Sequence, residues 1–241
     1  IYTLSLHDAL PISIIATVSC TQEHENMEGG EAGSMARFAI KGNFLYAVDY
    51  NELTVFDISN PADNKQLHVQ HVGFGIETIF PTDSNLFLGA RNGMYIYGLK
   101  NPAQPNQISF TPHFESRDPV VVQGNFAYVT LRQDNFGGWR NVLQIYDISK
   151  LSSPNLLKEY AMWGPKGLGI DGDKLFIADD KLEVYRLITP TEIELIQSFD
   201  IPAIDVIPRG EILYVIAEDG FYQYSYANDT ITFISKITIS P

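Results

Sequence analysis

Met35 to Pro61 reads MARFAIKGNFLYAVDYNELTVFDISNP, and its pattern returns four times along the chain. Ile76 to Pro102 reads IETIFPTDSNLFLGARNGMYIYGLKNP, and Asp118 to Ser149 reads DPVVVQGNFAYVTLRQDNFGGWRNVLQIYDIS. Gly167 to Pro190 reads GLGIDGDKLFIADDKLEVYRLITP, and Ile204 to Asp229 reads IDVIPRGEILYVIAEDGFYQYSYAND. Superimposing the copies aligns Tyr46, Phe87, Tyr128, Phe176 and Tyr214, at intervals of 41, 41, 48 and 38 residues. An insertion around Gln133 to Asn141 accounts for the long third interval. Within the first copy, Arg37 to Ile40, Phe44 to Val48, Leu53 to Ile58 and Leu67 to Val72 read as strands. Leu53-Thr54-Val55-Phe56-Asp57-Ile58 alternates apolar and polar, as a half-buried strand requires.

Turn chemistry falls between these runs. Gly42-Asn43, Gly124-Asn125 and Gly172-Asp173 separate the first and second strands, where glycine takes a positive φ at little cost. Asn92-Gly93 and Asp219-Gly220 separate the second and third. Asn60-Pro61 and Asn101-Pro102 end the third, because proline cannot donate to a ladder. No segment keeps a helical period. A four-stranded unit of about 40 residues, repeated, is the mark of a β-propeller blade, which buries its two faces against its neighbours. A pair of β-sandwiches has no reason to repeat at this interval. The predicted fold is therefore all-β, a propeller over 35–241 with five visible blades at about 35–73, 74–115, 116–162, 163–201 and 202–241.

The repeats resemble those of the LVIVD-repeat proteins, propellers common among Bacteroidetes-type envelope lipoproteins. The resemblance is carried by GSMARFAI (Gly33 to Ile40), LTVFDISNPA (Leu53 to Ala62), IETIFP (Ile76 to Pro81) and GMYIY (Gly93 to Tyr97). It continues through DPVVVQGNFAYVTLR (Asp118 to Arg132), GLGID (Gly167 to Asp171), DVIP (Asp205 to Pro208) and EDGFYQY (Glu218 to Tyr224). It implies an extracytoplasmic envelope protein with no established enzymatic activity. It also implies further blades upstream, so that the five would form part of a seven-bladed ring. Where relatives often carry histidine, an acidic residue and cysteine, this chain has Lys166, Gly75 and Arg117. Any bridge or site built on those family residues is thus not expected here.

The first 13 residues, IYTLSLHDALPIS, back-translate into a common short-read sequencing adapter, so residues 1–13 are excluded from the fold as non-native. Residues 14–34 read as the end of a lipoprotein signal followed by an acidic tether. In Ile14-Ile15-Ala16-Thr17-Val18-Ser19-Cys20, small residues precede a cysteine, and lipidation at Cys20 would anchor the chain to a membrane, the outer membrane by the resemblance. Cys20 is the sole cysteine, which excludes an internal disulfide and a cysteine-based zinc site.

Acidic residues number 29 against 16 basic ones, for a net charge of −13, and no basic cluster offsets them, so nucleic acid is not an expected partner. Hydrophobic residues make up 45% and charged ones 19%, the balance of a folded globular chain. No apolar run approaches the ~20 residues that span a bilayer.

In a propeller the first strand of each blade lines the central channel. The loops leading into it share one face with the loops joining strands two and three. Alignment on the aromatic position places Arg37, Glu77, Asp118, Lys166 and Asp205 around the mouth of that channel. Trp139 in the insertion and Trp163 before the fourth blade fall on the same face, with Arg132 and Arg140 nearby. Aromatics beside arginines are common interface anchors. The expectation is a non-catalytic scaffold binding a protein, glycan or small charged ligand through this face. The alternative is a hydrolase using a cation, calcium for instance, held by Glu77, Asp118 and Asp205, although Arg37 and Lys166 beside them oppose a cation. The Asp171-Gly172-Asp173 and Asp179-Asp180 clusters are oxygen-rich, but the first belongs to a hairpin turn. The five histidines form no triad or metal cluster, since only His113 lies near the channel face. No phosphate loop or dinucleotide fingerprint is present. No cofactor is expected.

Overall fold

The structure, a computed structural model, describes residues 33–114, 117, 119–133, 140–227 and 230–239. Five four-stranded antiparallel sheets follow one another as up-and-down meanders, the blades of a β-propeller. Blade 1 is β1 (Phe38–Lys41), β2 (Phe44–Asp49), β3 (Glu52–Asp57) and β4 (Lys65–His71). Blade 2 is β5 (Ile76–Pro81), β6 (Asn85–Ala90), β7 (Gly93–Gly98) and β8 (Asn106–Pro112). Blade 3 is β9 (Val120–Gln123), β10 (Phe126–Leu131), β11 (Val142–Asp147) and β12 (Asn155–Ala161). Blade 4 is β13 (Leu168–Asp171), β14 (Lys174–Ala178), β15 (Leu182–Thr189) and β16 (Glu192–Phe199). Blade 5 is β17 (Ala203–Arg209), β18 (Ile212–Ala217), β19 (Gly220–Ser225) and β20 (Thr232–Thr238). There is no helix among the described residues.

The hairpins form where the sequence places glycine. Gly42, Gly124 and Gly172 take φ of 56°, 58° and 58°, the left-handed region that costs an L-residue ~1–2 kcal/mol. In all five blades the pairing of the third and fourth strands shifts register, once in four of them, as at Val55/Phe56 and Ile96/Tyr97, and twice in blade 4, at Val184/Tyr185 and Leu187/Thr189. Such a bulge adds twist and bends the outer strand.

The core is divided into layers between blades. Tyr46, Val48, Leu53 and Val55 of blade 1 meet Ile76, Leu86, Leu88 and Tyr97 of blade 2. Phe87, Met94 and Ile96 of blade 2 meet Val120, Val129 and Leu131 of blade 3. Tyr128, Leu143 and Ile145 of blade 3 meet Leu168, Leu175 and Ile177 of blade 4. Phe176, Leu182 and Val184 of blade 4 meet Leu213, Val215 and Tyr224 of blade 5. The inner strands pack in the same sequence, β1 on β5, β5 on β9, β9 on β13 and β13 on β17. Among the described residues, β17 does not pack on β1 in this way and no apolar layer joins blade 5 to blade 1.

Candidate functional site

The loops on the channel face between blades 3, 4 and 5 line an open cavity of about 670 Å³. Blade 3 contributes Arg132 and Asn141, from either side of the insertion, to its wall. The loop leading into blade 4 contributes Trp163 and Lys166, and the turn after β14 contributes Asp179 and Asp180. Glu218 closes the side toward blade 5.

Trp163 is held at its backbone and free at its ring. Its N–H donates to the Asp179 carboxylate at 3.0 Å, and that carboxylate also accepts the N–H of Gly164. Its carbonyl accepts from Asn141 Nδ2. Lys166 N–H bonds Ala178 O at 2.6 Å, which pins the other end of the loop to blade 4. Asp179 is 2% exposed, whereas Trp163 is 82% exposed. The ring is thus left in solvent on a backbone that is clamped at both its N–H and its carbonyl. Around it stand two cations, Arg132 and Lys166, and two exposed carboxylates, Asp180 and Glu218. Lys166 Nζ reaches Glu218 Oε1 at 3.4 Å.

Of the residues predicted to ring the channel mouth, the structure brings Lys166 into this cavity with Trp163 and Arg132. Asp118 and Trp139 lie outside the described residues, as does Cys20. Arg37 is exposed, and Glu77 pairs with Arg91 at 3.1 Å; neither lines the cavity. Arg140 turns outward, bonding both oxygens of Glu159 at 3.0 and 2.9 Å with its guanidinium 4.7 Å over the Phe114 ring. Asp205 does not stand at the rim. It is 6% exposed, and it accepts from Ser34 Oγ at 3.0 Å, Val206 N at 2.9 Å and Met35 N at 3.4 Å. Gly33 and Gly167 flank it so closely that a Cβ on either would run into its carboxylate. Burial pushes its carboxyl up to about 6, against the opposing pull of the bonds from Val206, Ser34 and Met35.

The other oxygen-rich clusters are taken up locally. Asp171 accepts from Tyr226 Oη at 2.6 Å, and Asp173 faces Lys174 at 3.0 Å and Arg186 at 4.0 Å. Among the described residues no group of three or more His, Cys, Asp or Glu is placed to hold a metal ion. His113 is part-buried, with Nδ1 2.7 Å from Phe114 O. The sequence reading missed the roles of Asn141 and Asp179 in clamping Trp163. The Asp179-Asp180 pair was its available signal, because a carboxylate directly after an apolar strand needs hydrogen-bond donors wherever it is buried.

The LVIVD repeat matches residues 32–64 and 117–162, and the chain thus carries LVIVD repeats on a five-bladed propeller. No curated protein matches the chain. Among solved structures, a functionally unknown protein from Desulfotomaculum acetoxidans is similar, with a TM-score of 0.68 at 13% identity, over 84% of this chain and 69% of that one. The periplasmic gluconolactonase of Pseudomonas aeruginosa is similar with a TM-score of 0.62 at 13% identity, over 82% and 68%. A chain of the Mitotic Checkpoint Complex gives 0.62 at 13% identity, over 83% and 64%. At this identity these likenesses show a shared fold, and a fold hosts many functions.

Proposed function

We propose that this chain is a non-catalytic β-propeller of the bacterial cell envelope that binds a saccharide through its channel face. The observation that carries the reading is Trp163, whose exposed ring is clamped beside a cavity of about 670 Å³. The C–H face of a pyranose stacks on such a ring. Its hydroxyls suit the mixture of donors and acceptors offered by Arg132, Asn141, Lys166, Asp180 and Glu218. The envelope assignment is supported by the lipoprotein-like run ending at Cys20, and by the LVIVD repeats through the family they resemble.

The test is calorimetric titration with a panel of neutral and acidic oligosaccharides. Binding is expected, weakened about tenfold or more by Trp163→Ala, the usual effect of losing an aromatic anchor. Binding untouched by that change, or no binding across the panel, overturns the site. Turnover of a sugar lactone by the chain would overturn the non-catalytic reading. Incorporation of labelled palmitate, abolished by Cys20→Ala, is the expected result for the anchor.

A further inference from the structure

Trp163 has a counterpart two blades away. Aligned on the aromatic position, Phe74 stands thirteen residues before Phe87, as Trp163 stands thirteen residues before Phe176. Each lies in the loop leading into the first strand of its blade, β5 for Phe74 and β13 for Trp163. A four-stranded meander is entered and left at one end, so both loops belong to the channel face. Phe74 is 57% exposed. The Tyr50 ring, 40% exposed, meets it edge-on, with centroids 4.7 Å apart and planes at 74°. Tyr50 comes from the turn between β2 and β3 of blade 1, on the same face. At its repeat position the other four blades carry Arg91, Arg132, Asp180 and Glu218, all charged. Blade 1 thus has an aromatic where the repeat otherwise has a charge, and there it stands against Phe74.

The backbone holds this pair in solvent. Phe74 sits between Gly73 and Gly75, with φ of 139° and 69°. A Cβ on Gly73 would come within 2.6 Å of the Tyr95 ring, and one on Gly75 within 3.0 Å of the Arg91 side chain. The loop backbone therefore lies close against blade 2. Val72 N–H bonds Asn51 O at 3.0 Å and Ile76 N–H bonds Tyr50 O at 2.9 Å, which ties the two aromatic loops to each other. Arg91 N–H bonds Gly75 O at 3.0 Å and ties them to the turn after β6. Neither ring belongs to an apolar layer between blades, so the core does not account for them. The exposed polar residues of the adjoining turns are Asp49, Asn51 and Asn92. A standard protein interface covers roughly 800 Å² per partner, whereas two rings in a rim of amides and a carboxylate are on the scale of a sugar ring. A pyranose stacks its C–H face on such a ring and offers its hydroxyls to the polar rim.

We propose that Tyr50 and Phe74 form a second sugar-binding platform on the channel face, and that the ligand is a linear oligosaccharide long enough to engage this platform and Trp163 together. The inference rests on the saccharide reading of the Trp163 cavity and narrows its ligand from a saccharide to a chain of several sugar units. The channel-face turns of blades 2 and 3 lie between the two platforms, with Arg91 and Arg132 at the same repeat position. Two contacts joined by one ligand reinforce each other, because engaging the first holds the second at high effective concentration.

Calorimetric titration with the disaccharide and the octasaccharide of three series (chito-, cello- and galacturono-oligosaccharides) tests this. In a series that binds, the octasaccharide is expected to bind about tenfold or more tightly than the disaccharide. Phe74→Ala and Tyr50→Ala are each expected to bring the octasaccharide down toward the affinity of the disaccharide, and Phe74→Trp to keep its advantage. Trp163→Ala is expected to weaken both ligands. An octasaccharide that binds no more tightly than the disaccharide, or an advantage that survives both Phe74→Ala and Tyr50→Ala, overturns the second platform and leaves the Trp163 site standing. Failure of every saccharide to bind overturns both.

Discussion

Asp205→Asn should remove a specific pH dependence from the stability of this chain. In the folded state the Asp205 carboxyl is raised from its ordinary 3.8 to about 6 by burial. Between those values the folded state binds the proton and the unfolded chain does not, so stability falls as pH rises through this window and levels off above it. A shift of about two units costs about 3 kcal/mol at pH 7 but only about 1 kcal/mol at pH 4.5. The asparagine keeps the oxygen that accepts from Ser34 and Val206, while its amide meets Met35 N as donor against donor, an offset that does not vary with pH. His113 works against Asp205 in the same range. Burial holds its imidazole below the usual value despite its bond to Phe114, so it destabilises as pH falls below 6.5. Asp57, Asp147, Asp173 and Asp219 are held low by bonds from Ser59, Ser149, Lys174 and Lys236, so their contribution is lost only below the ordinary carboxylate range. The wild-type profile is therefore a sum of opposed slopes, and the difference between wild type and variant isolates Asp205. Urea unfolding at pH 4.5, 5.5 and 7 is expected to show the variant gaining about 2 kcal/mol on the wild type across that range. A difference that stays flat with pH would refute the buried, uncompensated carboxylate.

Ser34→Ala removes the hydroxyl that donates to Asp205 and accepts Leu168 N at 2.8 Å, and is expected to cost about 1–3 kcal/mol in the same unfolding assay. Tyr128→Phe loses the bond to Pro190 O and is expected to cost about 0.5–1.5 kcal/mol, while Tyr214→Phe in the 241-residue chain is expected to be neutral. Gly167→Ala drives a Cβ into the Asp205 carboxylate and backbone, and a loss of about 1–3 kcal/mol by thermal or urea unfolding is expected, with faster hydrogen exchange in β13 and β17.

Much of the blade was legible because strand register is a local property. The alternation of Leu53 to Ile58 assigns Leu53 and Val55 to a core face, and both are fully buried. The glycines at 42, 124 and 172 sit where a hairpin demands a conformation that other residues resist. Lys166, Trp163 and Arg132 could be placed on one face because a meander fixes which loops share an end. Depth could not be read this way. Nothing near Asp205 in sequence distinguishes it from a rim carboxylate. It is buried by Gly33 and Ser34, some 170 residues away, and by Gly167 of the neighbouring blade. The clamp on Trp163 likewise joins Asn141 and Asp179 from two blades. The end faces were hidden for the opposite reason. Phe38, which is 58% exposed, and the half-buried Tyr214 look like their buried counterparts in sequence, and they differ because among the described residues no blade packs against them.

Asp205 acquires its importance from that same geometry. A chain of stacked blades draws its stability from nearest-neighbour interfaces, so a terminal blade with one interface opens more readily than an internal blade with two. In this arc, blade 1 and blade 5 share no apolar layer among the described residues. What joins them is polar. Ser34, which leads into β1, gives its hydroxyl hydrogen to Asp205 on β17 and takes the N–H of Leu168 on β13. Ala36, two residues on, accepts the N–H of Ile79 on β5 at 2.9 Å. A single short segment therefore ties both ends of the arc across the channel. The carboxylate at its centre is costly to ionise because the glycines beside it exclude water. Loss of this tie is expected to loosen β1 and β17 together, although the two strands do not pack on each other, whereas loss of one apolar layer would loosen only the blades on either side of it.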